Sequence, residues 1–352
     1  MKNNLLFVDD DEFILEALMR QMRDYRHEWN VEFASSGERA LELMAEHNFD
    51  LVVADMRMPH MDGVRLLTEV MHRSPGTIRV ILSGQSERDV RFRTIGSAHQ
   101  YLSKPCDPES LQKLLAEVTK FQACLPDQSL RDLVSSVSTL PSLPSIVDEL
   151  VAELESDSAS VEAVGAIVRR DPSMTAKILQ LANSSFFGVP GRVVAAHAGV
   201  ELLGIDFMRL LTLDAGTFSQ VEAPLIEGFS LDSFCRHSLD VAHSARAWSV
   251  ATTGDHSAAD EAFSAGLLHD IGQLVLAVGM PERYGDVIRT ARATGRDLRV
   301  VEQETLGTTR ALVGGYLLRL WGLTDSVVEA VKCHYDVGVC GDGMPTATEA
   351  CG

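Results

Sequence analysis

Asp9, Asp10 and Asp11 follow directly on the apolar run Leu5-Leu6-Phe7-Val8, and Asp55 follows directly on Leu51-Val52-Val53-Ala54. Carboxylates crowded in this way repel one another unless a cation sits among them, and hard oxygen donors of this kind suit Mg2+. Ser83 closes the run Val80-Ile81-Leu82, and Lys104 comes two residues after Tyr101-Leu102. A hydroxyl and an ammonium beside a carboxylate-held Mg2+ make a place for a phosphoryl group rather than for an apolar ligand. Each group alone has an ordinary explanation, a solvated acid run or a Lys-Pro turn. All four at the ends of apolar runs within one stretch of the chain carry the information.

A second constellation lies further on. His269 and Asp270 adjoin one another at the end of the apolar stretch AGLLHDIG, with His237 upstream in RHSLD and His334 downstream in CHYD. A His-Asp pair joined by histidines from other helices is one way a helical bundle assembles a divalent-metal site. The chain has 11 histidines, an ordinary number, and a single one is more simply a core or surface residue.

The elements that must position these groups differ between the two parts of the chain. Up to Phe121, short apolar runs alternate with helical spacings over Phe13–Met22, Glu38–Ala45, Val64–Met71 and Ser110–Phe121. That alternation predicts a parallel sheet with helices on both faces, and such sheets bind ligands outside the carboxyl ends of their strands. From Ser145 to Lys332 the spacing is that of helices, among them Ile146–Leu154, Met174–Asn183, Cys235–Ala251, Ala259–Leu268 and Thr308–Trp321, with breaks at Asp171-Pro172, Pro224, Gly254 and Gly322. This part is expected to be all-α. We therefore place domains at 1–122 and 140–337, a linker with room for one short helix at 123–139, and a loose tail at 338–352.

The net charge is −19, of which residues 1–125 carry −5 and the remainder −14. A second half with no basic excess argues against nucleic acid as a partner. No run approaches the roughly 20 apolar residues of a membrane span, and the start, MKNNLLFVDDDE, is not a signal peptide. The six cysteines show no paired spacing, which reads as a reduced, cytoplasmic protein without membrane association.

Taken together, the acid run after LLFV, Asp55 in DLVVADMRMPHMDG, Ser83 in VILSG, Tyr101 and Lys104-Pro105 resemble the receiver domain of two-component response regulators. The resemblance implies a flavodoxin-like fold with a five-stranded parallel sheet in the order 2-1-3-4-5. It makes Asp55 the phosphoacceptor for a histidine kinase. Asp10, Asp55 and the main-chain carbonyl of Arg57 would hold Mg2+, with Asp9 supporting it through water. Ser83 and Lys104 would engage the phosphoryl oxygens, Tyr101 would turn inward in response, and the Lys104-Pro105 bond would be cis. Arg88, Arg91 and Arg93 could shape the outer face of the next helix.

The later part resembles the HDOD domain, a signalling relative of the HD metal-dependent phosphohydrolases. The residues that carry this are LPSLP at 140–144, Arg170-Asp171-Pro172, Leu181-Ala182-Asn183-Ser184, Leu203-Gly204, His237-Ser238, Leu268-His269-Asp270-Ile271-Gly272, Gly307 with Gly314, and Leu320-Trp321-Gly322-Leu323. Departures from the related HD-GYP phosphodiesterases bear on activity. Gln273 stands where they have Lys, Arg310 where they supply a metal-binding His after a Glu (the similar stretch starts at Glu304), Tyr335 where they have a second His, and Leu317 where Pro would complete Gly-Tyr-Pro. His237, His269, Asp270 and His334 could hold one metal but not a two-metal hydrolytic centre. A carboxylate deprived of its cation needs a replacement charge, and Arg310 is expected to supply it by pairing with Asp270.

The expected function is that of a response regulator in which phosphorylation of Asp55 controls a non-catalytic HDOD output acting through an unidentified protein target, with homodimerisation left open. The alternative is a phosphorylation-gated, metal-dependent phosphohydrolase acting on a cyclic dinucleotide or other nucleotide.

Overall fold

The computed structural model describes residues 2–84, 96–125, 127–184, 192–213, 218–220 and 226–335. Two compact units part at Ser138–Thr139. In the first, strands β1 (Asn3–Val8), β2 (Trp29–Ala34), β3 (Leu51–Asp55), β4 (Ile78–Ser83) and β5 (Gln100–Ser103) form one parallel sheet in the order β2-β1-β3-β4-β5. Every residue of β3 and β4 is buried, as expected of central strands covered on both faces. The helices are α1 (Glu12–Gln21), α2 (Gly37–Glu46), α3 (Gly63–Arg73), α4 (Pro108–Cys124) and α5 (Gln128–Ser136).

Side-chain caps start these helices. Asp11 accepts from the Phe13 N–H at α1, Ser36 from Arg39 at α2, Asp62 from Arg65 at α3 and Asp107 from Ser110 at α4, where Pro108 fits the first turn. The third acid of the first run is thus spent on a helix end. The parallel register aligns the carboxyl ends, with Val8 opposite Ala54, Asp55 opposite Leu82 and Ser83 opposite Ser103. That alignment brings the groups after each strand to one rim.

The expected linker is largely structured. Residues 128–136 form α5, capped by Asp127, and Leu130, Val134 and Ser135 are buried within the first unit. Two apolar residues spaced one turn apart give this helix, for which the linker had room, a face to bury.

The second unit contains helices α6 (Pro144–Glu155), α7 (Val161–Val168), α8 (Pro172–Ala182), α9 (Ala196–Leu203), α10 (Ile205–Leu213), α11 (Leu231–Thr253), α12 (His256–Leu268), α13 (Ile271–Gly279), α14 (Pro281–Thr294), α15 (Leu298–Leu306), α16 (Arg310–Leu320) and α17 (Asp325–Cys333). It is not wholly helical, because β6 (Pro141–Ser142) pairs in parallel with β7 (Ser219–Gln220). Prolines hold the 140–144 segment extended, and Asp171 fixes it in place. That carboxylate is fully buried, caps α8 through the Met174 N–H at 2.9 Å, and accepts from Ser142 Oγ and the Leu143 N–H, both at 3.1 Å. Burial pushes its pKa up while these hydrogen bonds oppose the shift.

Two further expectations need correction. The span His256–Gly279 is long and apolar enough to cross a membrane, but 83% of its most apolar 18-residue window is buried inside the protein. It is α12 and α13 interrupted at His269-Asp270, whose polar side chains divide the apolar run. Cys333 is disulfide-bonded, whereas Cys106 and Cys235 are free. Spacing along the chain says little about which thiols meet in space. Arg88, Arg91, Arg93 and the tail 338–352 lie outside the described residues.

Candidate functional site

The rim of the sheet gathers the predicted groups. One carboxylate oxygen each from Asp9, Asp10 and Asp55 lie within 4.8 Å of one another. Asp9 and Asp55 are buried and Asp10 is exposed. Lys104 Nζ sits 2.7 Å from Asp9 Oδ2 and in contact with Asp55 Oδ1, and the Lys104-Pro105 peptide is cis. The Arg57 N–H donates to Asp55 Oδ2 at 3.2 Å, which turns the chain back over the pocket. Ser83 is buried at the carboxyl end of β4, and Tyr101 is buried on the neighbouring β5, opposite Ile81.

Burial pushes the Asp55 carboxyl up to about 6, against the pull of Lys104 in the other direction. Lys104 loses hydration but gains two carboxylates, and its pKa is raised in consequence. The donor set, three carboxylates at a solvent-accessible rim, is what a hard divalent cation takes. With an ammonium and a hydroxyl alongside, the arrangement suits a phosphoryl group on Asp55.

The loop over this pocket is held closely. A Cβ on Gly63 would lie 2.1 Å from the Asp55 carbonyl oxygen, so only glycine lets α3 begin so near β3. His60 in the same loop has φ of +65°, a left-handed conformation that disfavours a β-carbon. His60→Gly should stabilise the first unit by about 0.5–1 kcal/mol in urea denaturation. Loss of stability would show that the histidine side chain holds the loop.

In the second unit, α12 delivers His269 and Asp270 at its end, and Gly266 lets it approach α11 (its Cβ would meet Ala242 Cα at 2.9 Å). This brings the ring of His237 to 5.2 Å from that of His269, and that of His334 to 5.1 Å on the other side. His269 Nδ1 lies 2.7 Å from the Gly266 carbonyl, and His334 Nδ1 lies 2.7 Å from that of Val331. Both Nδ1 atoms are therefore donors. The Nε2 atoms of the same rings lie 3.5 Å from Asp270 Oδ2 and Oδ1 respectively. Burial pulls His269 down to about 4, despite Asp270 beside it. Ligand atoms of His237, His269 and Asp270 fall within 4.8 Å of one another.

Arg310 occupies the other side of Asp270. Its Nε donates to Asp270 Oδ1 at 2.8 Å and its Nη1 to Glu302 Oε1 at 3.1 Å, while its backbone N–H donates to Glu302 Oε2 at 3.1 Å. Nη2 contacts the Tyr335 hydroxyl, and Tyr284 donates to Glu302 Oε1 at 2.7 Å. Glu302 and Tyr284 are completely buried and Asp270 is 6% exposed. The two carboxylates raise the Arg310 pKa against the opposing effect of burial. Burial favours a protonated Asp270, but His334, His269 and Arg310 together hold it well below the usual carboxylate range.

The pairing of Arg310 with Asp270 is the one expected from charge. Its second partner was not legible in the sequence. Glu304, which opens the stretch similar to the HD-GYP glutamate segment, is instead exposed and pairs with Arg296 at 2.5 Å. The available signal was position, since Glu302 shares the buried face of α15 with Val301 and Leu306. The approach of α13 to α16 sets this geometry, because a Cβ on Gly272 would lie 2.0 Å from the Arg310 carbonyl oxygen and 2.5 Å from the Gly314 nitrogen.

Comparison with known proteins agrees with this division. Residues 5–116 match the response regulator receiver domain and residues 140–337 match the HDOD domain. The transcriptional regulatory protein ZraR of Salmonella typhimurium is 32% identical over 165 residues, 45% of this chain and 36% of that protein. An uncharacterized protein of Treponema pallidum is 20% identical over 254 residues, 71% of this chain and 46% of that one. The chain thus spans less than half the length of these curated relatives. Among solved structures, the MmoQ response regulator of Methylococcus capsulatus has a TM-score of 0.53 at 24% identity, over 60% of this chain and 83% of that one, a likeness of fold. The chain belongs to the HDOD family and is a response regulator, a receiver domain followed by an HDOD output domain.

Proposed function

We propose that Asp55 accepts a phosphoryl group from a histidine kinase in the cytoplasm, and that this controls an HDOD domain which acts by binding a protein rather than by catalysis. Asp55 Oδ attacks the phosphorus of a phosphohistidine, and the O–P bond forms as the P–N bond breaks. The imidazole leaves with that electron pair and takes a proton from solvent. Mg2+ held by Asp10, Asp55 and the Arg57 carbonyl, with Asp9 behind, would neutralise charge on the phosphoryl oxygens. Lys104 already lies against Asp55, and Ser83 supplies a hydroxyl from the neighbouring strand end. The new group adds about −1.5 to −2 charges and strong acceptor oxygens, to which Lys104 and Ser83 must adjust and Tyr101 respond.

The observation that carries the non-catalytic reading is the Arg310 guanidinium bonded to both Asp270 and Glu302. A fixed cation holds the Asp270 oxygen that a second metal would need. The charge of −14 beyond residue 125 also opposes a DNA-binding output, and ZraR matches less than half of this chain.

A second reading has one observation in its favour. His237, His269 and Asp270 offer converging ligand atoms, which would suit a one-metal hydrolase. The purified full chain, assayed with Mn2+, Fe2+ and Mg2+ against cyclic dinucleotides and a generic phosphodiester, should retain no stoichiometric transition metal and show no turnover. Turnover abolished by His269→Ala would establish the hydrolase instead.

A further inference from the structure

Arg79 is a buried cation in the apolar run of β4, 1% exposed, and among the described residues it has no carboxylate partner. Burial draws its pKa down to about 10, so it remains charged at neutral pH. Its donors end on main-chain carbonyls, and Nη2 also lies 2.9 Å from His99 Nε2. Nε donates to Ser97 O at 2.8 Å, Nη1 to Thr77 O at 3.1 Å and to Pro75 O at 3.3 Å, and Nη2 to Ser135 O at 2.7 Å. The last acceptor belongs to the final turn of α5.

His99, 2% exposed, reaches the same carbonyl. The Arg79 N–H donates to His99 Nδ1 at 3.0 Å, so the hydrogen of this neutral ring sits on Nε2, which lies 2.8 Å from Ser135 O. Two buried donors thus converge on one carbonyl at a helix end, where such groups lack intrahelical partners and where positive charge is favoured. Leu130 and Val134 bury the apolar face of the same helix. The compact unit ends at Ser138, three residues past this carbonyl.

The strands that carry this clamp are those that end at the acid pocket. Arg79 and Ser83 lie on β4, and His99 immediately precedes β5, whose carboxyl end leads into Lys104. At about 3.3 Å per residue, roughly 13 Å of rigid strand separates Arg79 from Ser83. We propose that α5 is the receiver's output lever, clamped by Arg79 and His99 beneath the sheet and loosened when Ser83 and Lys104 are drawn to a phosphoryl group at the other end of the same strands. Hydrogen bonds weaken steeply with angle, so a shift of β4 against β5 breaks the convergence on Ser135. This inference rests on Asp55 as phosphoacceptor, and the experiment separates the two.

The test is amide hydrogen exchange by mass spectrometry on the full chain, with and without Mg2+ and beryllium fluoride, a phosphoryl mimic whose binding is followed by 19F NMR. Bound fluoride should speed exchange in 128–136 at least about tenfold while β1 and β3 stay protected. Arg79→Met should speed the same segment without the mimic. Because coupling is reciprocal, Arg79→Met should also tighten beryllium fluoride binding at least about fivefold, which a purely structural role would not do. Leu130→Asp, which loosens α5 from its own side and leaves the strands unchanged, guards against misfolding of the first variant and should tighten binding likewise. Bound fluoride with unchanged exchange in α5, or unchanged affinity in both variants, would overturn the lever. Absence of a bound 19F signal would overturn the phosphoacceptor reading and this inference with it.

Discussion

Asp55→Asn should abolish phosphoryl uptake, leaving no acid-stable, base-labile phosphate on a chain incubated with acetyl phosphate and Mg2+, or with a phosphorylated histidine kinase. The expected loss is to background, because the substitution replaces the nucleophilic carboxylate with a neutral amide. Three carboxylates compete for the role, and geometry decides among them. Asp9 is 1% exposed, and its Oδ1 accepts the Asp11 N–H at 3.0 Å while Oδ2 faces Lys104. Asp10 is exposed, with none of the enclosure that aligns a phosphoryl donor. Asp55 ends the buried central strand, is oriented by the Arg57 N–H, and faces Lys104 at a rim still open to a partner. Phosphate on the Asp55→Asn variant at the wild-type level would move the acceptor to another of the three carboxylates.

Arg310→Ala should destabilise the HDOD domain by about 3–5 kcal/mol, the cost of stranding a buried charge. Two carboxylates, those of Asp270 and Glu302, lose their cation together. For a domain of this size each kcal/mol lowers Tm by roughly 2–4 °C, so calorimetry should show the HDOD transition falling by roughly 6–20 °C. The receiver transition should stay in place, since Arg310 belongs to the other unit. If the lost stability comes from unpaired charge rather than lost packing, Arg310→Met combined with Asp270→Asn and Glu302→Gln should recover much of it, since neutral replacements remove the uncompensated carboxylates. An Arg310→Ala chain with unchanged stability would remove the argument that arginine stands in for a metal.

The receiver pocket was legible in the sequence because each of its groups sits at the end of an apolar run, and strand direction alone brings such ends together. The Asp270–Arg310 pair was legible because a buried carboxylate demands a counter-charge. Glu302 and Tyr284 were not, since their roles depend on how α14 and α15 pack, and no local pattern marks a carboxylate as completely buried. α5 was read as part of a linker for a related reason. Its docking depends on Arg79, more than fifty residues earlier in the chain, and on a carbonyl group that carries no side-chain signature.

The close passage of Gly272 against Arg310 and Gly314 has a consequence for how such chains are recognised. In the string His-Asp-Ile-Gly, the first two residues can hold a metal, whereas the last lacks a β-carbon and so lets two helices touch backbone to backbone. A pattern search keyed on those four letters therefore detects a crossing of helices as much as a reaction, and it will retrieve chains of either kind. Here the glycine holds that crossing, and on the function proposed above the residue to inspect when sorting hydrolases from signalling domains is the one whose carbonyl the glycine admits, Arg310.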